Sequence, residues 1–222
     1  MLLVSPMSSV YTLKQSPYSS HMLLLNLLDP IQHGKRLLDV GCGNGFLSQL
    51  LADKGFTVTG IEHPLGFDQN PPAVVHDLEQ PLPSLPGPFD VIVIGDVLEH
   101  LPRPQDLLEQ LRSHLAPGGQ IVASLPNSGN LYFRLQILLG NFPEDEKGLF
   151  DRTHLHFWML ANWRRLFDRS GYSFEIAEVT GIPVGLAIPS LGWLEVLCYH
   201  LARGWKTLFA YQFLSVAKLK SS

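Results

Sequence analysis

The sequence predicts a doubly wound α/β protein, a mostly parallel sheet of seven strands with helices on both faces. Three observations predict it. Short apolar runs suited to buried strands alternate with helical patterns between residues 36 and 125, the order that builds parallel βαβ units. The first of these runs, Leu37-Leu38-Asp39-Val40, enters a glycine-rich turn, Gly41-Cys42-Gly43-Asn44-Gly45, that opens a helix. Acids then stand at or just past the ends of successive strands, at Asp39, Glu62, Asp77 and Asp96. In doubly wound sheets that edge is where ligands bind.

The elements follow in order. Residues 1–20 read as an irregular arm, and 19–28 as a helix ended by Asp29-Pro30. A strand over 36–40 leads through the turn into a helix over 46–54, which Gly55 stops as a C-cap. The next strand, 57–61, ends at Glu62. Pro64, Gly66, Pro71 and Pro72 exclude a long helix after it, so that crossover is shortened. A strand at 73–76 follows, then a rigid loop with Pro81, Pro83, Pro86 and Pro88. The run at 89–94 is apolar enough to be buried on both faces. Leu107, Leu108, Leu111 and Leu115 share one face of a helix over 104–115. Pro117-Gly118-Gly119 turns into a strand at 120–125. Beyond it come a helix over 130–140, a polar loop over 141–153, an amphipathic helix over 160–170 and a strand at 174–179. An apolar helical insert over 189–206 and a last strand at 209–217 close the chain.

Composition bounds the function. The chain has 222 residues, enough for one domain with a sizeable core, and 45% are hydrophobic against 16% charged. A net charge of −4 and the lack of any Lys/Arg run leave no electrostatic footprint for nucleic acid. Two cysteines, Cys42 and Cys198, suit a reducing cytoplasm. The first residues lack the basic region and apolar core of a secretory signal. The apolar stretch 181–199 contains Pro183, Pro189 and Glu195, which argue against a transmembrane span. A cytoplasmic location is expected.

The turn's spacing narrows the ligand. A dinucleotide fingerprint places its third glycine where Phe46 stands here. Asp39 would repel a pyrophosphate and suits a cationic ligand. An acid about 20 positions on takes ribose hydroxyls, and Glu62 is that acid. The expectation is a nucleoside-containing cofactor with a positive charge. A nicotinamide-dependent oxidoreductase is the rival that Phe46 and the strand-end acids disfavour.

The pattern L-D-x-G-C-G-x-G closely resembles the first motif of class I S-adenosylmethionine-dependent methyltransferases. The segment from Phe89-Asp90 through Asp96-Val97-Leu98-Glu99-His100-Leu101 is similar to a second motif of their small-molecule branch, and Leu115-Ala116-Pro117-Gly118-Gly119 to their post-helix turn. Phe150-Asp151-Arg152-Thr153-His154-Leu155-His156-Phe157-Trp158 resembles the D-R-T-H-L-R-F-F segment of the ubiquinone-methyltransferase-like branch. The resemblance implies a Rossmann-like sheet whose C-terminal edge is antiparallel. It implies S-adenosylmethionine as cofactor and S-adenosylhomocysteine as product. Gly41 and Gly43 would approach the methionine part, Asp39 the amino group and Glu62 both ribose hydroxyls. Asp77 would meet the adenine amino group, Leu78 would pack on the ring, and Asp96 would open the loop facing the methyl group.

His100 and His154 are the expected catalytic bases, since imidazole titrates near neutral pH. His156 stands where many members of the resembling family carry Arg, and reads as a local substrate contact or a surface residue. No metal is expected, with one option kept: Asp96, Glu99 and His100 parallel an E-x-x-E-H segment implicated in cation binding in the ubiquinone branch. The whole chain, 1–222, reads as a single domain: arm and helix at 1–30, cofactor-binding core at 35–127, and substrate-side insertions at 128–158 and 181–207. The acceptor is expected to be a small molecule, aromatic or lipid-like, and O-methylation is the first reading. N- or C-methylation of a lipid-like, glycan or secondary-metabolite substrate stays open, as does a non-catalytic cofactor-binding or partner protein on the same fold. The insert at 181–207 suits either a peripheral membrane contact or a homodimer.

Overall fold

The computed structural model describes residues 16–28, 34–64, 73–183 and 192–220. Its strands are β1 Arg36–Val40, β2 Thr57–Glu62, β3 Ala73–Val75, β4 Phe89–Gly95, β5 Leu115–Pro126, β6 Tyr172–Thr180 and β7 Gln212–Leu219. They form one sheet in the order β3-β2-β1-β4-β5-β7-β6. The pairs from β3 to β5 are parallel, and β7 runs antiparallel to both β5 and β6. The chain moves outward from β1 to β3, then returns to β4 on the other side of β1. That reversal opens a crevice at the carboxyl ends of β1 and β4.

Helices cover both faces, as the burial of Leu37, Leu38, Ile92, Val93 and Ile94 requires. On one face α1 Ser20–Leu27 and α2 Phe46–Asp53 bring Leu24, Leu25 and Leu51 against Leu37, Val91, Val93 and Val122. On the other, α3 Pro104–Leu111 and α5 Leu160–Arg169 bring Leu107, Leu111, Trp163 and Phe167 against Leu38, Ile92 and Ile121. Between them in sequence lies α4 Leu131–Leu138, capped by the Asn130 side chain on the Tyr132 N–H. Among the described residues between β6 and β7 are the helices α6 Gly192–Gly204 and α7 Lys206–Phe209. No helix among the described residues is long and apolar enough to cross a membrane.

Three boundaries differ most from the sequence reading. Helix α3 stops at Leu111, and Arg112–His114 tighten into a 3₁₀ turn. β5 begins at Leu115 because that residue already pairs with Phe89, and the pairing shifts register before Val91. Pro117-Gly118-Gly119 is therefore a bulge inside the strand, and a Cβ on Gly119 would come within 2.9 Å of the Phe89 carbonyl oxygen. The last strand starts at Gln212, and Phe209 ends α7. The Asn127 and Asn130 amides each donate to the Ala210 carbonyl at 2.8 Å, which holds that stretch out of the sheet. The arm's first fifteen residues, most of the shortened crossover after Glu62, and the start of the apolar insert lie outside the described residues.

Candidate cofactor and catalytic site

The turn after β1 needs glycine for two separate reasons. Gly41 has φ +71°, and a side chain there would collide with Val97. Gly43 has φ +54°, and nothing lies within 4 Å of where its Cβ would be. The first glycine lets the loop pack on the turn after β4. The second leaves an open cradle above the backbone, at the N-terminus of α2.

Two carboxylates face that turn. Asp39 is 2% exposed, and the buried Ser48 hydroxyl, one turn into α2, donates to its Oδ2 at 2.5 Å. Burial raises Asp39 to about 6; the Ser48 hydrogen bond opposes this, and the Glu62 charge adds to it. Glu62 ends β2 and accepts the Gly43 N–H at 2.5 Å and the His63 N–H at 2.9 Å, one on each oxygen. Each oxygen keeps a lone pair for a further donor. Two acids beside one open backbone cradle fit a ligand that brings an ammonium group and hydroxyl donors.

The other strand-end acids are differently engaged. Asp77 accepts the Glu79 N–H at 2.9 Å in an Asx-type turn, next to His76, whose N–H donates to the Glu62 carbonyl at 2.8 Å. Leu78 is half-buried against the main core. Asp96 adopts φ +53°, and its Oδ1 accepts the Ser124 hydroxyl at 2.6 Å and the Gln212 amide at 2.7 Å. It is thus tied to β5 and β7. A depression lined by Tyr18, Thr180, Gly181, Glu195, Tyr211 and Gln212 adjoins it through Gln212.

The histidines gather where 150–158 crosses the turn after β4. The Glu99 carbonyl accepts the Leu155 and His156 N–H groups at 2.9 and 3.2 Å, pinning that segment down. The Glu99 side chain is 1% exposed. Its Oε1 lies 3.9 Å from His154 Nε2, and its Oε2 has no hydrogen-bond partner among the described residues. Burial, with repulsion from Asp96 and Asp151, holds the Glu99 carboxyl well above the usual carboxylate range. Burial and the neighbouring His100 push His154 down to about 4. Both shifts favour the uncharged forms, and 3.9 Å is too long for a hydrogen bond.

His100 meets His154 edge-on at 4.7 Å between ring centroids. Its Nδ1 lies 3.0 Å from Thr153 Oγ1 and 3.2 Å from the Thr153 carbonyl oxygen. The Thr153 hydroxyl spends its proton on Asp151 Oδ1, at 2.6 Å, and the carbonyl can only accept. In the neutral ring Nδ1 must then carry the proton, and Nε2 is the nitrogen with the lone pair. One donor atom each from Glu99, His100 and His154 lie within 4.8 Å of one another, a group that could hold a cation. Asp96 does not join that group, because its carboxylate is turned toward Ser124 and Gln212. His156 is a packing residue: its Nε2 bonds the Leu101 carbonyl at 2.9 Å and its ring stacks on Trp158. Phe133, Phe142, Phe150 and Phe157 pack on one another, with Phe133 and Phe150 stacked at 4.3 Å.

Sequence reasoning did not single out Ser48, Ser124, Gln212, Asp151 or Thr153 for a role. The D-x-T spacing of Asp151 and Thr153 is a turn signal that was available. Nothing local links Gln212 to Asp96, 116 positions away.

Residues 15–175 match the family described as a methyltransferase domain. The ubiquinone biosynthesis O-methyltransferase of Pseudomonas aeruginosa is 36% identical over a stretch covering 42% of this chain and 45% of that protein. The matched stretch thus spans less than half the length of that curated relative. Among solved structures, a SAM-dependent methyltransferase from Archaeoglobus fulgidus superposes with a TM-score of 0.59 at 22% identity, covering 91% of this chain and 95% of that one. The 1,6-didemethyltoxoflavin-N1-methyltransferase of Burkholderia thailandensis, solved with 1,6-didemethyltoxoflavin and S-adenosylhomocysteine bound, gives 0.57 at 13% identity, covering 91% and 80%. At those identities the likeness is one of fold. The family match runs from before α1 into β6 and takes in the glycine turn, the strand-end acids and the histidine cluster; the chain belongs to the methyltransferase-domain family of class I S-adenosylmethionine-dependent methyltransferases.

Proposed function

We propose that this chain binds S-adenosylmethionine in the turn between β1 and α2 and methylates an oxygen of a small-molecule acceptor. The observation that carries the reading is the pair Asp39 and Glu62 beside the open Gly43 cradle. When bound, the cofactor supplies an electrophilic methyl group on a sulfonium, so the protein mainly has to align the partners. Asp39 would take the ammonium group, Glu62 the ribose hydroxyls, and Asp77 and Leu78 the adenine. Asp96, anchored by Ser124 and Gln212, would shape the wall between cofactor and acceptor.

His100 is our choice for the base that accepts the acceptor's proton. Its Nδ1–H is held by Thr153, so Nε2 is the basic atom. His154, held neutral beside it, would set the ring's position. Methylation on oxygen is supported by that arrangement and by the kinship with ubiquinone biosynthesis O-methyltransferases. We read 1–222 as one cytoplasmic domain in which 128–158 and 181–207 frame the acceptor side.

Calorimetric titration of the full chain with S-adenosylhomocysteine, with NAD as control, tests the cofactor reading. Binding of the first in the micromolar range, about 8 kcal/mol, and none of the second is expected. NAD binding without S-adenosylhomocysteine binding would overturn it. Transfer of labelled methyl to a panel of hydroxylated aromatics then tests the acceptor class.

A further inference from the structure

Helix α6 is apolar on both sides. Its inner side is anchored to the fold: Tyr199 is buried with Leu23 and Leu214, and Ala202 is fully buried. At Gly181 the α6 backbone approaches so closely that a Cβ would come within 2.6 Å of Cys198. The outer side carries Trp193, Val196, Leu197, Leu201 and, just past the end, Trp205, all exposed. The two tryptophans are 65% and 60% exposed. Steps of four residues place Trp193, Leu197, Leu201 and Trp205 on one stripe, with Val196 and the exposed His200 along its flank. A solvated helix is polar on that side; one that is apolar all round belongs in a core or against lipid.

Two observations decide what covers the stripe. The first is size. Thirteen helical residues span about 20 Å, and a ridge about 10 Å wide offers roughly 200 Å², against about 800 Å² per partner in a stable protein interface. A second copy of the chain meeting this stripe would bury too little. The second is charge. The whole chain is at −4, yet the segment from α6 through α7 holds Arg203 and Lys206 against the single acid Glu195. Glu195 accepts the Ser16 hydroxyl at 2.6 Å, on the inner side. Arg203 is more than half exposed; its guanidinium lies 3.7 Å from Glu178 and over the Tyr199 ring, and its outer side meets solvent. Tryptophans at both ends of an apolar stripe with cations alongside suit the headgroup level of a bilayer. Helix α4 and the residue after it also expose Leu131, Tyr132, Leu135, Ile137, Leu138 and Leu139, but Glu144, Asp145 and Glu146 follow, all exposed, and an anionic surface would repel them.

We infer that the outer stripe of α6 seats this protein reversibly on an anionic lipid surface. Thr180, Gln212 and Pro126 stand level in the sheet, so the α6–α7 connection lies at the carboxyl edge that also carries Asp96. Docking would turn that edge, and the depression beside Gln212, toward the bilayer. The inference does not depend on methyl transfer.

Flotation of the full chain with vesicles of equal parts phosphatidylcholine and phosphatidylglycerol tests it, with pure phosphatidylcholine alongside. The wild type is expected to float with the anionic vesicles, bind the neutral ones more weakly, and shift its tryptophan emission to the blue. The triple variant Trp193→Ser, Leu197→Gln, Trp205→Ser should weaken binding more than about tenfold, since three large apolar side chains no longer leave water. Its thermal midpoint should be unchanged, because all three are exposed. A wild type that stays with the soluble fraction, or a variant that floats equally well, overturns the inference. So does a concentration-dependent dimer abolished by the triple variant in a protein that ignores vesicles.

Discussion

The carboxylate of Glu62 accepts the Gly43 amide at 2.5 Å, so the acid ending β2 and the open glycine after β1 form one unit. On the proposed reading, removing the acid would lose a ligand for the ribose, and it would also release the turn. Glu62→Ala should weaken S-adenosylhomocysteine binding by roughly 1.5–3 kcal/mol, the range for hydrogen bonds to a charged group. Calorimetry measures this directly; unchanged affinity would remove Glu62 from the site.

Asp39 predicts a pH dependence. Burial raises it from 3.8 to about 6, so the folded protein holds a proton there that the unfolded chain has already lost. Its contribution to stability is fully present below the unfolded value and is lost as pH rises through about 6. A bound ammonium group favours the ionised form. Affinity for S-adenosylhomocysteine should therefore rise as pH climbs through about 6. Asp39→Asn should flatten that profile and weaken binding at neutral pH. A flat wild-type profile between pH 5 and 7 would contradict the assignment.

The chain from Asp151 through Thr153 to His100 predicts a separation of binding from turnover. His100→Ala should leave cofactor affinity intact and lower kcat by about 10²–10⁴, the usual range for a general base. Thr153→Val should cost less, about fivefold for one hydrogen bond of roughly 1 kcal/mol. Thr153→Ser, which keeps the hydroxyl, should restore most of that loss. Loss of cofactor binding in the His100 variant would make its role structural.

Glu99 is expected to behave as a neutral acid. Glu99→Gln should fold with a thermal midpoint near that of the wild type at neutral pH. Because the folded pKa is raised, wild-type stability falls as pH rises through it, and the glutamine variant should escape that loss. Chelation by EDTA should leave cofactor binding and turnover unchanged. Turnover lost to EDTA and restored by a divalent cation would instead assign Glu99, His100 and His154 to that ion.

Local sequence determined the elements that carry their own signals. The turn at 41–45 was legible because its glycines answer to backbone geometry, and β1 and β4 because strands buried on both faces must be apolar throughout. Asp39, Glu62, Asp77 and Asp96 were legible as strand-end acids because strand ends can be read from the chain. Tertiary structure alone decided what each acid does. Asp39 meets Ser48 only because α2 folds back on β1, and Asp96 turns to Gln212 only because β7 returns beside β5. Two boundaries moved for the same reason. The Phe89–Leu115 pairing extended β5 through a Pro-Gly-Gly run that reads locally as a turn, and two asparagine amides kept Ala210 out of β7. The His100–His154 contact spans 54 positions and exists because the Glu99 carbonyl receives the 155–156 backbone. A sequence window carries propensity and periodicity, which are local. Side-chain pairing and burial, which set charge states, are properties of neighbours that the chain brings together only when folded.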